Sequence, residues 1–148
     1  MTNEDEFAAF VADVEPRLRR AFVALRGSEL GRDATAEALA WAWENWADVQ
    51  AMANPAGYLY RVGQSRTRPR KQPVVPATPA AEPPERHLGL VDALADLSDR
   101  QRTIVVLVHA CGWSYGDVAE GLGISVSSVG THVQRALALL RDALEEDR

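Results

Sequence analysis

The stretch from Ser114 to Arg135 constrains the chain more than any other. It reads as two helices joined by a tight turn. Ser114 opens the first, where a hydroxyl can satisfy a free backbone N–H, and Asp117 three residues on suits the positive helix start. Gly123 closes it, because the left-handed residue after a helix is usually Gly. Ser125 caps the second helix, which is expected to bury Val126, Val129, Val133, Leu137, Leu140 and Leu144, spaced by threes and fours. The opposite face carries Ser127, Ser128, Thr131, Gln134 and Arg135. Short hydrogen-bonding side chains plus one Arg on an exposed second helix fit a recognition helix lying in a DNA major groove. The plain alternative is an antiparallel helix pair with a solvated face; the compact Gly-Ile-Ser turn and the short first helix favour DNA.

Charge complicates that reading. The 148 residues carry a net charge of −5. Residues 1–65 hold 6 basic and 10 acidic side chains, residues 66–87 hold 5 and 2, and residues 88–148 hold 5 and 9. A free-standing DNA binder leans on phosphate neutralisation and is usually basic. An acidic one needs another source of affinity.

Taken in order, residues 4–26 predict a helix with a kink or restart at Pro16, ended by Gly27 and followed by a turn over 28–31. Residues 33–47, rich in Ala, predict a second helix with Ala36, Leu39, Trp43 and Trp46 on one face. Trp41 points elsewhere, either onto the first helix or toward a partner. A loop over 48–54 leads to Asn54 as cap and Pro55 in the first position of a third helix. Tyr58, Leu59 and Val62 are expected inward. Arg61, Gln64, Ser65, Arg66 and Arg68 make the far end polar and basic: a solvated helix end or a phosphate-contacting patch. Six of the eight Pro fall between 69 and 84, which reads as an extended linker. Beyond it, 88–96 predicts a short helix, and Ser98 with Gln101 forms a capping box for a helix reaching Ala110.

The fold class is therefore all-α: two small helical domains joined by a Pro-rich linker, the second a four-helix domain with a helix-turn-helix. The boundaries fall at 1–68, 69–87 and 88–148. There is no glycine-rich phosphate loop, no Cys-x-x-Cys and no metal-type His pair, so neither an enzyme nor a cofactor is expected. Lone Cys111 reads as a small apolar residue, with no disulfide available to it. The acidic start does not resemble a secretion signal, and no window approaches a membrane span, so a cytoplasmic location without membrane insertion is expected.

Both halves resemble a bacterial RNA polymerase sigma factor of the extracytoplasmic-function group. Leu97 to Arg102, Trp113 to Ala119, Leu122 to Val126 and Arg135 to Arg141 resemble the family's promoter −35-binding domain. Asp33 to Trp43 resembles its polymerase-clamp helix, and Asn54 to Val62 the start of its −10-binding helix. The resemblance implies partners: core RNA polymerase through clamp and flap contacts, promoter DNA, and an anti-sigma factor where one exists. Asp33, Glu37 and Trp43 occupy the family pattern's Asp, Glu and Trp, which implies polymerase contacts at Asp33 and Glu37, and Trp41 is expected to join them as the partner-binding aromatic. Near the −10 element the resemblance implies DNA contacts at Arg61, Gln64, Ser65, Arg66, Arg68, Arg70 and Lys71. Recognition-helix contacts fall on Ser125, Ser127, Ser128, Thr131, His132, Gln134 and Arg135. Departures from the family pattern are Ala36 for Gln, Gln64 and Ser65 for an Arg-Asn pair, Pro69 in the basic helix end, and Gly130 for a Lys or Arg. The role would also account for the acidity, since most affinity would come through the core enzyme. Outside this family, a stand-alone helix-turn-helix regulator, or an interaction module that has lost DNA binding, would carry similar features.

Overall fold

The computed structural model describes residues 2–67 and 85–146, and among these there are eight α-helices and no strand. Helix α1 (Asn3–Arg26) starts on a capping box: Thr2 Oγ1 accepts the Asp5 N–H at 3.2 Å, and the Asp5 carboxylate accepts the Thr2 N–H at 3.2 Å. The expected restart at Pro16 does not occur. Proline removes one ladder hydrogen bond, and burial of Val14 and Leu18 on either side of it holds α1 in one piece.

Gly27, at φ 88°, reverses the chain by itself, and α2 (Ser28–Glu44) begins at the next residue. The turn expected over 28–31 is therefore helix. Gly31 lies against the α1 backbone at Phe22 and Val23, where a Cβ would collide. The buried stripe of α2 is Gly31, Ala34, Thr35, Ala38 and Ala42. This corrects the expected face: Ala36 and Trp43 are exposed, and Leu39 is only half-buried. Small residues take the seam because two helices then approach closely, and the large aromatics instead cover the start of α1. Phe7 sits 5.0 Å from Trp43 and 5.1 Å from Trp46, and Phe10 sits 5.1 Å from Trp46. Trp46 opens α3 (Trp46–Gln50), a short helix that runs from the end of the expected second helix into the expected loop.

Helix α4 (Pro55–Arg66) has Pro in its first turn as expected, but Asn54 makes no side-chain capping bond. Leu59 and Val62 are buried, and Tyr58 is half-buried. Tyr60, not counted among the inward residues, is fully buried and stacks on Phe22 at 4.8 Å.

After residues 68–84, α5 (Glu85–Asp96) starts three residues earlier than expected. Arg102 caps its end, donating to the carbonyls of Leu94, Ala95 and Leu97 at 3.0–3.1 Å. Ser98 and Gln101 form the expected capping box of α6 (Asp99–Val105), which continues into a π-helical turn, Val106–Ala110. Gly112, at φ 71°, turns the chain into α7 (Tyr115–Leu122), and Gly123, at φ 68°, turns it into α8 (Val126–Glu146). The α8 seam is Val129, Val133, Ala136 and Leu140, with Leu137 partly buried. Val126 (53% exposed) and Leu144 (36% exposed) fall outside it, contrary to expectation. Val126 sits at the first turn, ahead of the crossing with α7; past Leu140 the seam passes to Ala143 and Leu144 turns outward.

The two helical units are docked. One apolar core runs from Leu18, Phe22, Leu59 and Tyr60 of the first to Ile104, Leu107, Trp113, Val118 and Val129 of the second. The packing that joins them is mainly α4 on α7.

Candidate nucleic-acid interface

The helix-turn-helix is built as its sequence indicates. Ser114 Oγ accepts the Asp117 N–H at 3.1 Å. Ser125 Oγ accepts the Ser128 N–H at 3.1 Å and so caps α8. It also lies 2.9 Å from the Ser128 hydroxyl and 3.1 Å from that of Ser127, which gathers three hydroxyls at the start of the recognition helix. Thr131 Oγ1 donates back to the Ser127 carbonyl at 3.1 Å, leaving its lone pairs outward.

Ser125, Ser127, Thr131, Gln134 and Arg135 are exposed along one face of α8. Among the described residues Gln134 and Arg135 make no side-chain hydrogen bond or ion pair, so their polar groups are free. Ser128 and His132 are half-buried at the edge, and the His132 Nδ1 is buried without a protein partner. Gly130 is the inner neighbour of this face. A Cβ there would meet only the Tyr115 ring, at 3.6 Å, which is ordinary contact. Exposed Val126 flanks the hydroxyl cluster and was missed by sequence reasoning, because its spacing fits the buried stripe equally well.

The residues expected at the −10 element are placed differently. Arg61 is exposed, stands 5.7 Å from the Tyr58 ring centre and donates to the Glu120 carbonyl at 2.5 Å. Gln64 is half-buried, its carbonyl oxygen accepting from Arg26 and its amide donating to the Tyr60 hydroxyl. Arg26 further donates to the Thr67 hydroxyl at 2.6 Å and the Thr67 carbonyl at 3.0 Å. Ser65 Oγ donates to the Val62 carbonyl at 3.0 Å. Arg66 faces Glu37 across 3.7 Å. Arg68, Arg70 and Lys71 lie outside the described residues.

Burial governs the ionisable groups of this web. It pushes the Tyr60 hydroxyl up to about 12, against a smaller downward pull from Gln64 and Arg26. It also lowers the Arg26 guanidinium from its ordinary value.

On α2, Asp33 and Glu37 are exposed one turn apart. Trp41 is half-buried and packs on Tyr58 of α4, 5.4 Å between ring centres. These residues form an acidic strip whose aromatic end touches the helix carrying Arg61.

An all-α chain whose last described helices form a capped helix-turn-helix with an open polar face is built like a nucleic-acid-binding protein. Residues 87–140 match the family model Sigma-70, region 4. The RNA polymerase sigma-E factor of Streptomyces coelicolor is 34% identical over 125 residues, covering 76% of this chain and 71% of that protein. The ECF RNA polymerase sigma factor SigL of Mycobacterium tuberculosis is 29% identical over 131 residues, covering 77% and 74%. The chain belongs to the extracytoplasmic-function group of RNA polymerase sigma factors. Among solved structures, the sigma factor RpoE of Bartonella quintana, crystallised with the anti-sigma factor NepR, superposes with a TM-score of 0.68 at 23% identity over 97% of this chain and 99% of that one. CnrH, in complex with the cytosolic domain of CnrY, gives 0.66 at 23% identity over 98% and 91%.

The chain is thus a sigma factor, which binds core RNA polymerase and directs promoter-specific initiation. Sigma factors are DNA-binding initiation factors, not enzymes. Among the described residues no helix is long and apolar enough to cross a membrane.

Proposed function

We propose that the two helical units divide the promoter between them. Residues 88–148 read the −35 element through Ser125, Ser127, Ser128, Thr131, His132, Gln134 and Arg135 of α8 and its cap. Val126 adds an apolar contact of the kind that suits a thymine methyl. Residues 1–68 hold the polymerase clamp with Asp33, Glu37 and Trp41, and meet the −10 region with Arg61, Gln64, Ser65 and Arg66. The segment between α4 and α5 tethers the two, and Arg68, Arg70 and Lys71 add phosphate contacts at its start. The observation that carries the reading is the face of α8: exposed hydroxyl, amide and guanidinium groups directly over the buried Val129–Val133–Ala136 seam. The chain acts in the cytoplasm, where the polymerase is, and an anti-sigma factor is its natural antagonist, as NepR and CnrY partner the two structural neighbours.

The test is reconstitution. Purified chain is mixed with core polymerase and a library of genomic fragments, and transcript starts are sequenced. Shared −35 and −10 elements upstream of the starts are expected, with Arg135→Ala depleting them. Starts no different from those of core alone would sink the reading. Binding to specific fragments without core would favour a stand-alone regulator instead.

A further inference from the structure

Four aromatic rings gather where the start of α1 meets the end of α2. Phe7 stands 5.0 Å from Trp43, 5.1 Å from Trp46 and 6.2 Å from Phe10, which itself stands 5.1 Å from Trp46. The cluster is open to solvent: Trp43 is 46% exposed, and Phe7, Phe10 and Trp46 are only half-buried. Among the described residues Trp43 is the one large apolar side chain of the first unit that is exposed. The rim is acidic. Residues 2–16 and 38–52, which carry the four rings, hold seven carboxylates and no Lys or Arg. Exposed Glu4, Asp5, Glu44 and Asp48 each lie within three residues of a ring in the chain. Glu6 accepts from Gln50 at 2.9 Å and ties α1 to α3 at the edge of the patch.

An aromatic surface with an acidic rim suits a ligand that is both proline-rich and cationic. Proline-rich segments dock on aromatic-lined surfaces at low entropic cost, because each ring has φ already fixed. Lys or Arg adds a cation over an indole. This chain contains such a sequence. Pro73, Pro76 and Pro79 recur every three residues, the period of a polyproline II helix, which puts them on one edge of such a helix. Arg68, Arg70 and Lys71 precede them, and residues 68–81 hold no Asp or Glu.

We propose that in the free chain the patch of Phe7, Phe10, Trp43 and Trp46 is a docking surface for the chain's own segment 70–79. The prolines lie across the rings, and Arg70 and Lys71 face the carboxylates of the rim. The reach is short. Arg66 faces Glu37 across 3.7 Å, and Trp43 follows Glu37 by six residues of α2, ~9 Å of rise. The seven steps from Arg66 to Pro73 span up to ~25 Å. A tethered ligand this near has an effective concentration that a free peptide of the same chemistry does not match. In the promoter complex Arg70 and Lys71 contact phosphate, so the segment serves two partners in turn. Docking in the free chain does not depend on which promoter elements the helices read.

Paramagnetic relaxation tests this in the intact chain. A nitroxide is attached at Ala77→Cys, off the proline edge, and the indole N–H signals of Trp43 and Trp46 are followed. Cys111→Ser removes the sole native cysteine, so the label goes to one place. Strong relaxation of both signals is expected. It should fall at least about threefold with Pro73→Ser plus Pro76→Ser, and likewise with Arg70→Glu plus Lys71→Glu, as the docked population drops. Both pairs lie outside the described helices and leave the patch intact. From the patch side, Trp43→Ala should cut the relaxation of Trp46 by a similar factor. Weak relaxation in the parent chain, or unchanged relaxation in any of the three variants, would overturn the docking. So would equal relaxation in a mixture of isotope-labelled chain without nitroxide and spin-labelled chain without isotope, because the segment would then sit on a second copy.

Discussion

The two helices assigned to DNA, α4 and α8, treat their polar side chains in opposite ways. On α8 the exposed groups are short, and Gln134 and Arg135 are unengaged within the described residues. On α4 almost every polar group already has an internal partner: Arg61 the Glu120 carbonyl, Gln64 both Arg26 and Tyr60, Ser65 its own helix, Arg66 the Glu37 carboxylate. One helix is ready to read a groove as it stands. The other must give up protein contacts before it can take up nucleic acid. A side chain that also holds the fold together has a high cost of release, so α4 is tied to conformational change in a way that α8 is not.

The largest expected effects therefore come from the α4 web. Arg26→Ala removes three hydrogen bonds and leaves Gln64 and Thr67 without their donor. A loss of about 1–3 kcal/mol of stability is expected in denaturant titration, because hydrogen bonds to a charged group are strong and their partly buried acceptors lose their donor. A loss under about 0.5 kcal/mol, the level of an ordinary surface change, would show the web to be ornamental and erase the contrast with α8. Tyr60 tests the same region through pH. Its hydroxyl is pushed up to about 12 in the fold from an ordinary value of 10.0, so the folded state holds a proton that the unfolded chain releases first. Stability is then fully present below pH 10 and falls as pH rises toward 12, by on the order of 2–3 kcal/mol. Tyr60→Phe should flatten that alkaline decline in a melting series, and an unchanged slope would assign the decline to other groups.

Next in size is the acidic strip of α2. Asp33→Lys with Glu37→Lys reverses two exposed charges and should weaken binding to core polymerase by more than about tenfold at low salt, less at high salt. Helicity should be unaffected, since both side chains point to solvent. Unimpaired capture of core would place the clamp contact elsewhere. Because Glu37 also faces Arg66, the single variant Glu37→Gln separates the two roles.

On α8 the same chemistry should affect reading and not stability. Thr131→Ala deletes one exposed hydroxyl and should leave the melting temperature unchanged. It should alter base preference at one −35 position by ~1–3 kcal/mol in a selection from randomised promoters. Arg135→Ala should lower affinity across sequences if it meets phosphate, or at one position if it meets a base edge. If either variant melted more than a few degrees lower, α8 would be as entangled as α4.

Much of this was legible in the chain. The caps at Ser98, Ser114 and Ser125, and the turn glycines 27, 112 and 123, stand where the sequence puts them, because each depends on a local hydrogen bond or a positive φ. What was not legible depended on distant partners. The α2 seam is small residues and not the aromatic face, since the closeness of α1 sets what fits, and α1 is invisible in a local window. Tyr60 and Arg26 were passed over because a hydroxyl and a guanidinium look solvent-facing until their acceptors are known. Val126 matched the buried spacing but sits one turn before the crossing that buries Val129. A better signal for the docked arrangement was present: Gly57 in the first turn of α4 and Gly121 in the last turn of α7 are both poorer helix formers than Ala. Glycines kept at that cost mark a close backbone approach.

Gly130 supplies the smallest and most discriminating test. It sits in the second turn of α8, where Gly weakens a helix by about 1 kcal/mol relative to Ala. Unlike Gly57 it is under no steric compulsion, since its Cβ would rest 3.6 Å from the Tyr115 ring in ordinary contact. Gly130→Ala should therefore stabilise the chain by up to about 1 kcal/mol, with promoter preference unchanged. Gly130→Lys should add to this a cation beside the groove face, strengthening −35 binding a few-fold without sharpening specificity, because a phosphate contact positions the protein but carries no sequence information. The gain should shrink as salt rises. If Ala stabilises and Lys abolishes binding, the DNA backbone must pass directly over residue 130, closer than its half-buried place on the flank of α8 suggests. The open face of α8 would then be narrower, with Thr131 and Arg135 on its rim and the Ser125–Ser128 cluster at its centre.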